Sequence, residues 1–427
     1  MTPAEIGAVS RLGGRAFAGL VCRIEQVHRA IADRAFAPVG PAGAPARVIH
    51  DSITRGVYFA VRGAGAAAGV VGAEAVSLVG AGGQPAGREP AGNLALAALN
   101  AIAGDQLGPG LAPLAIRMAV RADGCDVHVD ARELSAVFGH PTPRLAVFVH
   151  GLAETEDSWQ RRGAESEPYG PRLRAEFGYT PIYIRYNTGR HVSDNGHDLS
   201  GLLDGLIAAW PVQVDELVLV GHSMGGLVIR SACHHGQQES AAWVARVRHV
   251  FYLGTPHLGA PLARAAGLAG WALGKMAETR PFVTLVNGSS PGIKDLRHGY
   301  VLADDWADCD QDSCVRDHRG DTPLLPGANH YTISATVTPD PGHPLGAVAG
   351  DLLVQPASAH GRRRAHQHIP FPAGSRRRLG GMHHFDLLNH PAVWVAIRDL
   401  LGQHCALAAT ASPNEPVEPA EPGDTAP

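Results

Sequence analysis

The segment ELVLVGHSMGG, residues 216–226, starts with apolar residues, passes through a Gly-x-Ser-x-Gly pattern and runs into the helix-compatible stretch GLVIRSACHH. A strand that turns sharply into a helix at such a serine is the local structure of a nucleophile elbow. The turn strains the backbone of Ser223, and small residues at Gly221 and Gly225 allow the chain to approach closely. Ser223 is therefore predicted to be a catalytic nucleophile.

Apolar runs recur on both sides of this segment at the spacing of strands and helices. Asp123-Gly124 is a strong turn signal between two alternating strands, so a β-hairpin is expected there. A hairpin followed by strands alternating with helices predicts an α/β fold, with a mostly parallel sheet covered by helices on both faces. Strands are predicted within 144–151, 181–187, 216–226, 248–259 and 330–338, and helices over 199–210 and 386–401.

Composition favours a folded enzyme over a disordered or nucleic-acid-binding chain. Of 427 residues, 45% are hydrophobic and 18% charged, and the net charge is -4, so nucleic acid is not an expected partner. The 23 histidines and six cysteines include no cluster with zinc-site spacing, so neither a metal nor another cofactor is predicted. Cys309 and Cys314 are close enough in sequence to bridge a loop.

Three regions are predicted along the chain. Residues 1–110 form an N-terminal helical extension without an assigned role, in which 4–34 is an amphipathic helix and about 48–61 a second helix. Residues 111–405 form the main domain. Residues 406–427, which repeat Glu-Pro, are expected to be disordered.

The N-terminus lacks the shape of a signal peptide, which favours a cytoplasmic protein. The stretch 63–83 is nearly uncharged but too weakly apolar to predict a membrane span. The amphipathic helix either docks on the main domain or attaches to a membrane surface. The arginine runs 362–364 and 376–378 are either solvated loops or a basic rim for anionic lipid headgroups.

Four motifs, FVHGL, GHSMGG, YLGTPHLGAPL and HFDLLNHPAVW, follow one another in the chain. In this order they resemble bacterial triacylglycerol lipases and GPI inositol-deacylase-like hydrolases, in the lipase/esterase branch of the α/β-hydrolase superfamily. The resemblance covers about residues 114–402. It implies an α/β-hydrolase fold, a Ser–Asp–His triad in that chain order, and a lid at about 260–300, where the sequence is also apolar and helix-compatible.

Two acids and two histidines compete for the remaining places in the triad. Asp351 lies in GDLLVQPASA, which resembles a lipase pattern around the acid, although Leu352 stands where many lipases have glycine. Asp340 is the alternative, held between two prolines. The family pattern favours His384 as the base over its neighbour His383.

The backbone N–H groups of Leu152 and Met224 are expected to form the oxyanion hole. His150 and Asn187 are predicted near the substrate. For the His150 side chain a packed, loop-holding role is preferred over substrate contact, because the backbone can bind the oxyanion. These parts predict a serine carboxylic-ester hydrolase acting on a small-molecule or lipid ester. An acyltransferase or thioesterase with the same triad, or a catalytically silent scaffold that binds lipid or protein, are the alternatives.

Overall fold

The computed structural model describes residues 2, 4–13, 90–160, 166–260, 290–308, 318–364 and 367–410. The strands, in chain order, are β1 Ala119–Ala122, β2 Cys125–Val127, β3 Arg144–Val149, β4 Thr180–Arg185, β5 Glu216–His222, β6 Val247–Leu253, β7 Asn329–Thr336, β8 Arg362–Arg364, β9 Gln367–His368 and β10 Arg376–Gly380. The helices are α1 at residues 4–13, α2 Pro90–Ala103, α3 Ala131–Val137, α4 Tyr169–Phe177, α5 Val192–Ala209, α6 Met224–Gln238, α7 Pro291–His298, α8 Pro344–Ala349, α9 Pro356–Ala359 and α10 Pro391–Thr410.

Eight strands form one sheet in the order β10-β7-β6-β5-β3-β4-β1-β2. Every pair from β10 to β4 is parallel, and only β1 pairs antiparallel with β4 and β2. The central strands are almost continuous runs of buried residues, as expected for parallel strands covered on both faces. The carboxyl ends of β3, β5, β6 and β7 therefore meet at one edge, where ligands bind in open parallel sheets.

The predicted hairpin is present. Val120 pairs with Val127 and Ala122 with Cys125. Asp123 and Gly124 between them have φ values of 48° and 72°, the left-handed pair that a tight hairpin turn requires. This hairpin forms the antiparallel end of the sheet.

Two predicted helix boundaries were wrong. The helix expected from residue 199 begins at Val192. The closing helix was expected from Asp386, but residues 384–388 form a 3₁₀ turn and α10 begins only at Pro391. Proline suits the first turn of a helix, where its missing N–H leaves no hydrogen bond unmade.

The N-terminal region is described in part. Residues 4–13 are helical, as predicted, and Ala8 packs with Leu107, Leu111 and Leu114 in a small apolar cluster. Helix α2 contributes Ala101 to the main hydrophobic core. Outside the described residues lie the rest of the predicted first helix, the helix at about 48–61, residues 261–289 of the lid predicted at about 260–300, the Cys309–Cys314 pair and residues 411–427 of the tail predicted from 406. The start of that tail was wrong, because helix α10 continues to Thr410.

None of the helices in the described ranges has the length and apolar character needed to span a lipid bilayer.

Candidate active site

Ser223 occupies the sharp turn between β5 and α6. Its φ of 51° and ψ of -120° are a strained conformation for a residue other than glycine. A 2.8 Å hydrogen bond from its backbone N–H to the carbonyl oxygen of Leu253 ties the turn to the end of β6. The serine therefore lies at the carboxyl edge of the sheet.

The two glycines of the motif are required by close backbone contacts. A Cβ added to Gly225 would lie 2.1 Å from the carbonyl oxygen of Val149, and one added to Gly221 would lie 2.6 Å from the backbone nitrogen of Gly226. Both distances are far below a normal van der Waals contact. A side chain at either position would push the turn away from β3 or from the start of α6.

Asp351 and His384 form a buried pair at the same edge of the sheet. The Nδ1 atom of His384 lies 2.7 Å from Oδ2 of Asp351, and the two side chains are 2% and 1% exposed. The other carboxylate oxygen, Oδ1, accepts backbone N–H groups of Leu353 at 3.0 Å and Val354 at 2.7 Å. The backbone N–H of His384 also donates to the carbonyl oxygen of Asp351 at 3.0 Å. Backbone hydrogen bonds therefore hold the Asp351 carboxylate in place beside the His384 ring.

Burial and the carboxylate act in opposite directions on His384. Burial lowers the pKa of its imidazole, but the charge and hydrogen bond of Asp351 outweigh burial, with a further contribution from Glu154. The pKa therefore lies above the ordinary histidine value. An aspartate that stabilises the protonated ring in this way suits a histidine that takes up a proton during a reaction.

The His384 ring lies next to the serine turn. A Cβ placed on Gly254 would be 3.0 Å from Cε1 of His384. Gly254 follows Leu253, whose carbonyl oxygen holds the Ser223 backbone. The structure therefore brings Ser223, Asp351 and His384 to one site.

Asp340 and His383 lie elsewhere. The Asp340 side chain accepts the backbone N–H of Gly342 at 2.8 Å on an exposed turn. His383 turns its Nε2 towards Oδ1 of Asp386, 3.4 Å away. Both competitors thus make local contacts within their own loops.

The two residues whose backbone N–H groups were predicted to hold an oxyanion, Leu152 and Met224, follow the ends of β3 and β5. Met224 is the first residue of α6, where N–H groups have no partner within the helix. Leu152 lies in the turn after β3. Within the described ranges, neither N–H has a hydrogen-bond acceptor. The neighbouring Ala153, with a φ of 57°, is held by a 3.3 Å bond from its N–H to Oγ1 of Thr188.

The His150 side chain packs inside its own loop. It is fully buried and stacks on Tyr186 with ring centroids 4.5 Å apart. Its Nδ1 donates to the carbonyl oxygen of Gly151 at 2.9 Å, and its Nε2 accepts the backbone N–H of Tyr186 at 3.4 Å. Burial lowers the pKa of this ring. These contacts are those of a histidine that holds its loop, the role preferred from the sequence over contact with substrate.

The Asn187 side chain makes hydrogen bonds to two nearby backbone groups. Its amide nitrogen donates to the carbonyl oxygen of Gly104 at 3.0 Å, and its amide oxygen accepts the N–H of Gly189 at 3.0 Å. Both ends of the amide are used, one for the turn after β4 and one for the chain that follows α2. The prediction missed this because nothing in the sequence links residue 187 to residue 104.

Glu154 and His222 were also missed. The Nδ1 atom of His222 lies 2.9 Å from Oε2 of Glu154, and both side chains are buried. His222 stands at a variable position of the Gly-x-Ser-x-Gly pattern, and 68 residues separate it from its partner. The one available signal was a charged residue soon after the apolar strand β3, in a loop expected to be buried.

The other charged and metal-like groups form no second site. Arg376–Arg378 lie on the edge strand β10, and each side chain donates to a nearby backbone carbonyl. Arg190 pairs with Asp198 at 2.5 Å. In the part of the chain that the structure describes, no three histidine, cysteine or acidic side chains converge in the manner of a metal site.

Comparison with known proteins gives a family match and several similar folds. Residues 147–315 match the family model of the PGAP1-like alpha/beta domain. No curated protein matches the chain significantly. The mature lipase BlEst2 of Bacillus licheniformis is 22% identical, with a TM-score of 0.42 over 61% of this chain and 94% of the lipase.

Two further solved structures are similar at lower identity. An esterase from Thermogutta terrifontis is 16% identical, with a TM-score of 0.35 over 62% of this chain and 91% of its own. The RedJ thioesterase of Streptomyces coelicolor is 19% identical, with a TM-score of 0.35 over 63% and 93%. Through the topology of its sheet and the family match, the chain has the α/β-hydrolase fold and is similar over residues 147–315 to the PGAP1-like alpha/beta domain, which confirms the resemblance to lipases and esterases expected from its motifs.

Proposed function

We propose that this protein is a serine carboxylic-ester hydrolase of the lipase/esterase type. One observation carries the proposal: a strained serine at a strand-to-helix turn shares the carboxyl edge of the sheet with a buried histidine–aspartate pair. This arrangement is the geometry by which Ser–His–Asp enzymes are recognised on unrelated folds.

The chemistry follows from the position of each group. Ser223 attacks the ester carbonyl while His384 takes its proton. Asp351 holds the Nδ1–H of the imidazole and stabilises the positive charge that forms. The N–H groups of Leu152 and Met224 bind the developing oxyanion. His384 gives its proton to the leaving alcohol and then activates the water that releases the acid from Ser223.

The proposed substrate is an ester of a small molecule or a lipid. The support for a lipid comes from the motif resemblance, and the role of a lid at about 260–300 and of membrane-surface contact stays a prediction. A series of p-nitrophenyl esters of increasing acyl length measures the preference directly. A rate that rises with chain length indicates an apolar acyl site, and a rate that falls after acetate indicates a small one.

The central test is alanine substitution of the proposed triad. Ser223→Ala is expected to lower kcat for an aryl ester by about a millionfold, because loss of a triad nucleophile removes the covalent pathway. Asp351→Ala and His384→Ala should also be crippled, while Asp340→Ala and His383→Ala keep most of the wild-type rate. Circular dichroism and thermal unfolding check that each variant is folded.

A fluorophosphonate probe separates this function from a silent scaffold. The wild-type protein is expected to be labelled at Ser223 and the Ser223→Ala variant to remain unlabelled. Absence of labelling in the folded wild-type protein would contradict the proposal. Adding a primary alcohol or a thioester to the assay distinguishes acyl transfer and thioester hydrolysis, since both use the same serine but give different products.

A further inference from the structure

A second buried carboxylate–histidine pair lies directly under the serine turn. His222 is the last residue of β5, and Glu154 belongs to the loop after β3. The distance of 2.9 Å between Nδ1 of His222 and Oε2 of Glu154 is that of a hydrogen bond. The exposed fractions of the two side chains are 0% and 8%, so solvent screens the pair little.

This pair is bonded to both loops that the proposed chemistry needs. Oε2 of Glu154 also accepts the backbone N–H of Gly151 at 2.7 Å, in the loop that presents the N–H of Leu152. On the other side, Nε2 of His222 lies 3.2 Å from the carbonyl oxygen of His384. The His222 and His384 rings are 4.7 Å apart between centroids. The pair therefore connects three segments: the loop of Gly151 and Leu152 (the oxyanion loop), the turn at Ser223 and the loop that carries His384.

Both ring nitrogens of His222 face acceptors. A carbonyl oxygen can only accept, so Nε2 must carry a proton to bond to His384. A carboxylate can only accept as well, so Nδ1 must also be protonated. His150 shows the opposite pattern, because one of its nitrogens donates to a carbonyl and the other accepts an N–H. Both contacts of His222 are therefore hydrogen bonds only when both of its ring nitrogens carry protons, whereas the two contacts of His150 need a single ring proton.

Glu154 supplies the negative charge of the pair. Burial raises the pKa of its carboxyl group, but the charge of His222, its hydrogen bond and the Gly151 N–H outweigh burial, so that the pKa lies below the ordinary value. Removal of one partner of such a buried pair leaves an uncompensated charge and is strongly destabilising. The same carboxylate contributes to the raised pKa of His384.

We propose that Glu154 and His222 form a charged, hydrogen-bonded pair that positions the oxyanion loop against the serine turn and fixes the backbone of His384. They are positioning residues, since they act through Gly151 and His384. The inference rests on the proposed hydrolase function and assigns to two further residues a part in holding its transition state.

The charge state is tested without any assay of activity. Protein labelled with ¹⁵N in its histidines is expected to give one ring with protons on both nitrogens that is absent from His222→Gln. The Ser223→Ala variant should keep this signal, because the hydrogen bonds of the pair to Gly151 and His384 do not involve the Ser223 side chain. A signal assigned to His222 with only one protonated nitrogen would overturn the charged pair.

The positioning role is tested by kinetics on Glu154→Gln, His222→Gln and the double variant. Each is expected to lower kcat by about a hundredfold, as small misplacements of catalytic groups do, with KM changed less than about threefold. Affinity for a boronic acid, which mimics the tetrahedral intermediate, should fall in parallel with kcat. The double variant should lose no more than either single one, because the residues act as one unit.

A matched control lies on the surface. His197 and Glu239 form an exposed pair, with Nε2 and Oε1 3.7 Å apart and side chains 64% and 52% exposed. His197→Gln and Glu239→Gln should leave kcat, KM and boronate affinity unchanged. The double variant Glu154→Gln/His222→Gln leaves no unpaired buried charge, which keeps the test open where a single variant fails to fold.

The outcomes separate the two proposals. If no ester is cleaved in a Ser223-dependent way, the proposed function fails, and with it the positioning role, while the spectrum still decides the charge state. If Ser223 is required but the Glu154 and His222 variants keep the wild-type kcat and boronate affinity, the positioning role is wrong and the function stands. A fall in thermal stability with unchanged kcat would also overturn positioning.

Discussion

Leu352 takes a backbone conformation that its side chain disfavours. Its φ of 80° lies in the left-handed region, where a residue with a Cβ is less stable than glycine by about 1–2 kcal/mol. The residue follows Asp351 directly, at the position where many of the lipases that the chain resembles have glycine. The loop therefore has at Leu352 a backbone conformation suited to glycine, and the bonds to Asp351 Oδ1 hold it there.

Comparison of Leu352→Ala with Leu352→Gly measures this strain. Both changes remove the leucine side chain beyond Cβ, but only glycine avoids the free-energy cost of a Cβ in the left-handed region. We expect the glycine variant to have the higher free energy of unfolding, by about 1 kcal/mol. At the exposed helical residue Leu345 the order should reverse, since glycine is worse than alanine in a helix. Urea unfolding of the four variants gives the values, and an alanine variant as stable as glycine at 352 would contradict the strain.

His384 gives a prediction for the pH dependence of the rate. The proposed base must be neutral to accept the proton of Ser223, and its pKa is raised by Asp351. The value of kcat/KM should therefore fall as pH drops through a pKa above that of ordinary histidine. In Asp351→Asn the raising charge is lost, so the midpoint should move to lower pH while the plateau rate drops. An unchanged midpoint in Asp351→Asn would show that Asp351 does not raise the pKa of the His384 ring.

Among the secondary structure elements, the strands from β1 to β7 were predicted, whereas the helix ends and the strands β8 to β10 were not. The arginine runs 362–364 and 376–378, expected in solvated loops or a basic rim, lie in the strands β8 and β10. The cores of β3, β5 and β6 are continuous apolar runs that a buried parallel strand requires, so the sequence identifies them directly. The start of α10 depends instead on tertiary contacts. The carboxylate of Asp386, expected inside the helix, accepts the backbone N–H of His383 at 2.9 Å and holds residues 384–388 in a separate turn.

Two of the polar contacts that dock the N-terminal region on the main domain lie at the end of helix α2. Asn187 bonds to the carbonyl oxygen of Gly104, and Oγ of Ser290 bonds to the carbonyl oxygen of Ala101 at 2.6 Å. These contacts tie the end of the N-terminal region to the turn after β4 and to the start of α7. The predicted boundary at residue 110 therefore does not coincide with a break in packing among the described residues.

Asn187→Ala should weaken this docking. The change leaves the buried carbonyl of Gly104 and the N–H of Gly189 without their partner, which costs about 1–3 kcal/mol. We expect faster hydrogen exchange over residues 90–106 and a lower unfolding temperature. Asn329→Ala, which removes a 3.2 Å bond to the carbonyl oxygen of Arg248 at the opposite edge of the sheet, is the control. Equal exchange of 90–106 in both variants would contradict the docking role.

For the whole molecule, the candidate site is assembled from loops that are distant in sequence. The motifs predict its residue types, because each is a local pattern: a serine between glycines, an acid before an apolar run, a histidine before Asp-Leu-Leu. They do not predict contacts that depend on how the loops meet. The Glu154–His222 pair and the bond from Asn187 to Gly104 join segments 68 and 83 residues apart, and no spacing within either segment reveals its partner.

The double connection between Asp351 and His384 has a consequence for how this region can change. The residues are joined once through their side chains and once from the N–H of His384 to the carbonyl of Asp351. These two hydrogen bonds hold Asp351 and His384 together without depending on the length of the chain between them. Lengthening a loop costs little free energy, about 0.6 kcal/mol for each doubling. Gly374 is exposed, and a Cβ there would meet no atom within 4 Å. An insertion beside it would lengthen the segment between Asp351 and His384 and leave the contact between these two residues in place.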